Sequence, residues 1–260
     1  MTDFGKSVSL KSPEQEHELH PGTEKCRPQK LREPQKLCLN FCIVNKPGGK
    51  TLEQLENDAK AQVTRAQEIF NENIGVCCPK IEISACYNEL PWNEYYDIVK
   101  DGEVTDVLEQ CDYTNPLNND STKDKFDLSQ EVKDLLKKCR NDDCLTIYYV
   151  PEHRYKSGGT WYPSNGVGIS PNDFPETTGA AGSGSGIILT QGLSLDDNTL
   201  AHELGHNLMD LPRDENEGAE HVDNSESDRL MKPIAPAGRK LTKERMQPDL
   251  FKYKCLFRRL

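Results

Sequence analysis

Positive charge is scarce in this sequence. Lys and Arg number 32 against 43 Asp and Glu, a formal net charge of −11. Such a chain has no positive field to drive counterion release from a nucleic acid, so a nucleic-acid partner is excluded. Long apolar runs are missing too: nowhere do about 18 apolar residues follow one another, the length a membrane-spanning helix needs. Met1 to Leu10 lacks an apolar stretch of roughly 7–15 residues, so no secretory signal is expected there. No Cys-x-x-Cys pair occurs, which removes the spacing of a zinc ribbon or a thioredoxin-like redox site. No internal repeat is visible. Histidine is rare, with six in 260 residues.

Cysteine is not rare. Cys26, Cys38, Cys42, Cys77, Cys78, Cys86, Cys111, Cys139, Cys144 and Cys255 make ten. An even, high count points to several disulfides and an oxidising, exported destination, with buried thiols acting as small hydrophobes as the alternative. Cys38 and Cys42 fall in a strand-like run, where an even spacing puts both on one face. Cys139 and Cys144 bracket a short polar turn and are expected to form a local disulfide. The overall pairing is not legible from spacing.

Residues 1–36 are polar, with Pro13, Pro21, Pro28 and Pro34 and hardly an apolar pair; they read as a tail or wrapping arm. From Leu37 the texture changes. Leu37–Val44 is a buried-strand run closed by the turn Pro47-Gly48-Gly49. Thr51–Asn73 reads as a helix: Thr51 with Gln54 forms a capping box, and Leu52, Leu55, Ala59, Val63, Ala66 and Phe70 keep helical spacing. Alternation around Lys80–Cys86 predicts a second strand. Residues 91–127 read as polar and irregular. Leu128–Cys139 reads as a short amphipathic helix and Cys144–Val150 as a strand. A Gly-rich stretch, 158–170, holds an edge segment. The small-residue run Gly179–Gly186 reads as an exposed loop, followed by the strand Gly186–Thr190. Strands and helices in this order predict an α+β domain, a mixed twisted sheet carrying helices.

The last helix carries the chemistry. It is expected from Asp196 to Leu211, with Asp196–Thr199 offering capping oxygens and Leu200, Leu204, Leu208 and Leu211 forming the core stripe. His202 and His206 are one turn apart on another face, in the pattern His-Glu-x-x-His. Two imidazoles so spaced can both reach one zinc at about 2.0–2.1 Å, and Glu203 projects beside them as general base. A hydrolytic zinc needs three protein ligands and an open position. Four further histidines exist, His17, His20, His153 and His221, and His221 follows the helix most closely.

Here the chain resembles the metzincin clan of zinc metallopeptidases. Ala201–Leu208 matches the start of the clan's motif, Asp228-Arg-Leu-Met231 looks like its methionine turn, and Gly238–Glu244 is similar to the segment after that turn. The resemblance implies a zincin-like fold over residues 37–260, with an upper subdomain (37–211) holding the sheet and active-site helix and a lower one (212–260) holding the third ligand and Met231. Two positions depart from the clan's pattern: Met209 stands where its glycine would be and Pro212 where its third histidine would be. Treating 213–220 as an insertion moves that ligand to His221. Asp210, Asp214, Glu226 and Glu244 are the alternatives.

The implied function is a zinc endopeptidase acting on proteins or peptides. Zinc would polarise the scissile carbonyl and acidify water, Glu203 would move the proton, and Met231 would form an apolar floor beneath the metal. Substrate would add as a strand to the edge segment Gly166, Val167, Gly168 and Ile169. The competing reading is a disulfide-stapled binding or toxin module whose zinc helix is inactive, supported by Met209 and Pro212. Lesser features have plainer readings. The acidic segment Asp210–Asp223 could chelate Ca²⁺ but reads as a solvated run. Cys26 is expected to bridge to the core, with capping of the zinc, a latency device among the clan's relatives, as the alternative. His17 and His20 have no expected role, and Trp161 and Tyr162 either line the cleft or pack.

Overall fold

The computed structural model of the chain describes residues 34–73, 80–113, 128–141, 143–157, 159–169, 186–193, 198–208 and 257–258. Strand β1 (Gln35–Val44) is the centre of the architecture. Its first two residues lie inside the segment read as the polar arm, because Gln35 and Lys36 extend the parallel ladder with β2 (Ile81–Leu90), from Gln35 opposite Ile81 to Val44 opposite Leu90. On its other side β1 pairs in parallel with β4 (Leu145–Val150) and, at Lys36 and Leu37, antiparallel with β9 (Phe257–Arg258). Beyond β4 come β8 (Gly186–Thr190), parallel, and β7 (Gly166–Ile169), antiparallel. The path is β2-β1-β4-β8-β7, so among the described residues β7 is an edge. The protein is a mixed α+β fold.

The two faces of this sheet follow from the alternation of β1. Leu37, Leu39, Phe41 and Ile43 pack against Leu55, Ala59, Val63, Ala66, Ile69 and Phe70 of helix α1 (Leu52–Asn73) and against Leu200, Ala201 and Leu204 of helix α4 (Thr199–Leu208). The expected capping box starts α1: the Thr51 N–H donates to Gln54 Oε1 at 2.9 Å and the Gln54 N–H to Thr51 Oγ1 at 3.3 Å. The opposite face joins Cys42, Val44, Tyr148, Val150 and Ile188 to a second core. Covered on both sides, β4 is buried throughout, as a central parallel strand must be.

That second core depends on elements within residues 91–127, where the polar, irregular texture predicts none. Helix α2 (Trp92–Val99) starts after Pro91, a residue whose fixed φ suits a helix entrance, and buries Tyr95 and Val99. Strand β3 (Leu108–Tyr113) follows. Helix α3 (Gln130–Leu135) is shorter than expected; Ser129 caps it, accepting the Val132 N–H at 3.1 Å, and it buries Val132 and Leu135.

The expected Cys139–Cys144 disulfide does not form. Cys38 pairs with Cys144 and Cys42 with Cys139. The reason is register: Leu39 stands opposite Leu145, so one residue back Cys38 faces Cys144. Cys42 lies on the same face, as its spacing from Cys38 requires, and takes Cys139. Between them the buried Asn40 donates to the Cys139 carbonyl at 2.6 Å and accepts from Asn88 at 2.7 Å, so the polar group in mid-strand is satisfied.

Beside β7 the sheet forks. Strand β4 leads through Pro151 and Glu152 into β5 (His153–Ser157), and β6 (Thr160–Ser164) leads through Asn165 into β7. Strand β8 lies between β4 and β7 but ends at Thr190. Beyond it β5 and β6 close on each other, antiparallel, with His153 opposite Ser164, and β3 adds to β5 in parallel. The Gly-rich stretch therefore holds one strand of a hairpin as well as the edge strand.

Candidate functional site

Helix α4 is anchored from three directions. The His202 N–H donates to the Asn198 carbonyl at 2.9 Å, closing the first turn. Asn198 Oδ1 accepts from Arg65 Nε on α1 at 3.2 Å, fixing the helix entrance. Leu200, Ala201 and Leu204 lie in the core. At about 100° per residue, positions 202 and 206 fall about 40° apart and roughly opposite the Leu200–Leu204 stripe. Helical spacing thus sets positions 202 and 206 of α4 on one side of the helix. His202 and Glu203 are buried, with 8% and 6% exposure; the His206 side chain is not among those described.

Glu203 faces β7. A β-carbon built on Gly166 would stand 2.9 Å from both Glu203 Cγ and Glu203 Oε1, and 2.6 Å from Thr199 Cγ2. Only a residue without a side chain lets the strand backbone come so near the helix. Strand alternation puts Gly166 and Gly168 on the α4 side and Val167 and Ile169 on the other, where both pack in the second core. Among the described residues β7 has β8 as its one partner strand. The site thus consists of a buried carboxylate beside two histidine positions, pressed against glycine backbone at a sheet edge.

Nearby, His153 is fully buried, and desolvation pushes its pKa down to about 3. Its Nδ1 lies 2.8 Å from Thr190 Oγ1, which lies 2.8 Å from the Ser164 carbonyl oxygen. Sequence reasoning gave His153 no role, and nothing in its local pattern distinguishes it; only the fork brings β5, β6 and β8 together there. Trp161 and Tyr162 pack on the small sheet. The Trp161 indole donates to Glu103 at 2.7 Å and lies under Arg154, while Tyr162 stacks on Tyr155.

Histidines at i and i+4 beside a buried carboxylate suit zinc by donor chemistry. Among the described residues no group of three His, Cys, Asp or Glu side chains gathers to hold a metal. His221, Met231, the alternative ligands Asp210, Asp214, Glu226 and Glu244, the acidic segment Asp210–Asp223, and Cys26, His17 and His20 lie outside the described residues. No helix among them is long and apolar enough to cross a membrane. The chain matches no family model and no curated protein.

Proposed function

We propose that this chain is a zinc-dependent endopeptidase of the metzincin type, secreted or otherwise exported. The observation that carries the reading is the contact between Glu203 and Gly166, which sets the motif's carboxylate against an antiparallel edge strand. His202, His206 and His221 would hold the metal, with Met231 beneath them. Zinc bound there supplies a Lewis acid that polarises a peptide carbonyl and makes water acidic near neutral pH. Glu203, held by its helix in a dry environment, takes the proton from that water and returns it to the leaving amine. An extended peptide pairs its backbone with the outer edge of β7. The glycines at 166 and 168 keep the helix side of that strand free of side chains. The Cys38–Cys144 and Cys42–Cys139 bridges support an oxidising destination.

The test uses the full chain. Zinc per chain is measured by elemental analysis, and casein cleavage is followed with and without 1,10-phenanthroline. One zinc per chain and chelator-sensitive cleavage, abolished in Glu203→Ala, is the expected result. Bound zinc with no cleavage, unchanged in Glu203→Ala, favours the binding module instead, and a chain that takes up no zinc overturns the metalloenzyme. His221→Ala should lower zinc occupancy; full occupancy would pass the third ligand to a carboxylate.

A further inference from the structure

The fork beside β7 turns on one hydroxyl. Thr190 Oγ1 has a single proton and lies 2.8 Å from the Ser164 carbonyl oxygen, which can only accept. The proton is therefore committed to Ser164. The same Oγ1 lies 2.8 Å from His153 Nδ1 and must accept from it. His153 thus carries its proton on Nδ1, and Nε2 is left as a bare lone pair. That nitrogen is buried and meets no donor among the described residues. A second ring proton would put an unpaired N–H and a charge into a dry interior, so the imidazole is held neutral in one tautomer.

From this ring the chain of contacts runs to the edge strand. The Thr190 N–H donates to the Asn165 carbonyl at 2.9 Å, and Ser164 Oγ donates to the Gly166 carbonyl at 3.0 Å. The carbonyls of residues 164, 165 and 166, where β6 becomes β7, are therefore each tied either to Thr190 or to Ser164. Gly166 is also the residue whose backbone approaches Glu203.

We propose that His153 is a positioning residue for the candidate site: through Thr190 and Ser164 it fixes the corner between β6 and β7, and so sets Gly166 against Glu203. The kinetic consequence rests on the endopeptidase reading; the hydrogen-bond chain does not. Neither His153 nor Thr190 touches substrate in this scheme. Each acts through the backbone of the edge strand.

Thr190→Val and Thr190→Ser separate the hydroxyl from the fold, because Val keeps the shape and Ser keeps the oxygen. The expected tautomer, seen by nitrogen-15 NMR of the imidazole in the wild-type chain, has Nδ1 protonated and Nε2 bare. In Thr190→Val, amide hydrogen exchange across 164–169 should rise roughly five- to tenfold, the scale of one or two lost hydrogen bonds. Its kcat for casein-derived peptide should fall roughly 10- to 100-fold with KM held within about twofold, as for a displaced catalytic group. Thr190→Ser should restore both. A proton on Nε2 in the wild type, or exchange in Thr190→Val equal to that in Thr190→Ser, overturns the proposal. So does a restored exchange pattern without restored kcat. A wild-type chain with no chelator-sensitive cleavage overturns the endopeptidase reading, and the tautomer and exchange measurements then decide the fork by themselves.

Discussion

Gly166 and Glu203 are placed so that a single added methyl on the strand would collide with the carboxylate on the helix, at 2.9 Å from Oε1. The same added carbon would stand 2.6 Å from Thr199 Cγ2, one turn back on the helix. This one approach ties the most reactive side chain of α4 to the backbone at the sheet's edge.

Gly166→Ala tests that relationship. The new β-carbon also meets Thr199 Cγ2, so either the Glu203 side chain swings away or the strand retreats. Peptide cleavage should fall about tenfold or more, since a general base contributes roughly 10²–10⁴-fold when correctly placed. Circular dichroism should show the fold retained. Cleavage at the wild-type rate would show that Glu203 needs no fixed seat on the strand.

Acid should weaken the fold through His153. Its pKa falls to about 3 from an ordinary 6.5 because burial disfavours the charged ring. Below pH 6.5 the unfolded chain takes up this proton while the folded chain refuses it until about pH 3. The histidine therefore removes stability progressively as pH drops across that window. Thermal melts from pH 7 down to pH 4 should show a falling Tm, with a shallower slope in His153→Asn. Parallel slopes would remove His153 as the cause.

Glu131 should act in the opposite direction. Burial raises its pKa from 4.5 to about 7, reinforced by the neighbouring Glu109 carboxylate and opposed by the hydrogen bond that it accepts from the Glu109 N–H at 2.7 Å. Arg154 is already paired with Glu109 at 2.6 Å and compensates only partly. A raised carboxyl favours the protonated folded state, so the stability present below pH 4.5 is lost as pH climbs through about 7. Glu131→Gln should raise Tm at pH 8 and leave it nearly unchanged at pH 4. A Tm at pH 8 equal to or below that of the wild type would count against a strained carboxylate.

The disulfides make a prediction about connectivity and one about stability. Non-reducing peptide mapping should recover Cys38 joined to Cys144 and Cys42 joined to Cys139, and no peptide joining Cys139 to Cys144. The bridges span 106 and 97 residues. On the chain-entropy account, a loop of about 100 residues is worth roughly 4–5 kcal/mol for the first bridge. The second adds less, because it closes a loop nested inside the first. Cys42→Ala combined with Cys139→Ala should lower Tm by several degrees while Cys38–Cys144 persists.

The elements legible in the sequence are those whose hydrophobic period is long and uninterrupted. β1, α1, β2, β4, β8 and α4 each present a run or stripe that local chemistry alone can read, and Thr51 with Gln54 announced its helix. Helix α2 was hidden because eight residues with Trp92, Tyr95 and Val99 among acids form barely two turns of pattern. Strands β5 and β6 are hidden because their partners, each other and β3, meet them only beyond the end of β8.

Sequence by itself determined the His202-Glu203-x-x-His206 constellation, the helix that presents it, and the shared face of Cys38 and Cys42. These depend on spacing within one element, and helical and strand periods fix spacing. Tertiary structure alone decided which thiols meet, because parallel register brings Cys38 to Cys144 across a hundred residues. It alone brought Gly166 against Glu203 and enclosed His153 among three strands. Such contacts depend on where separate elements stop and cross, and no local period encodes that.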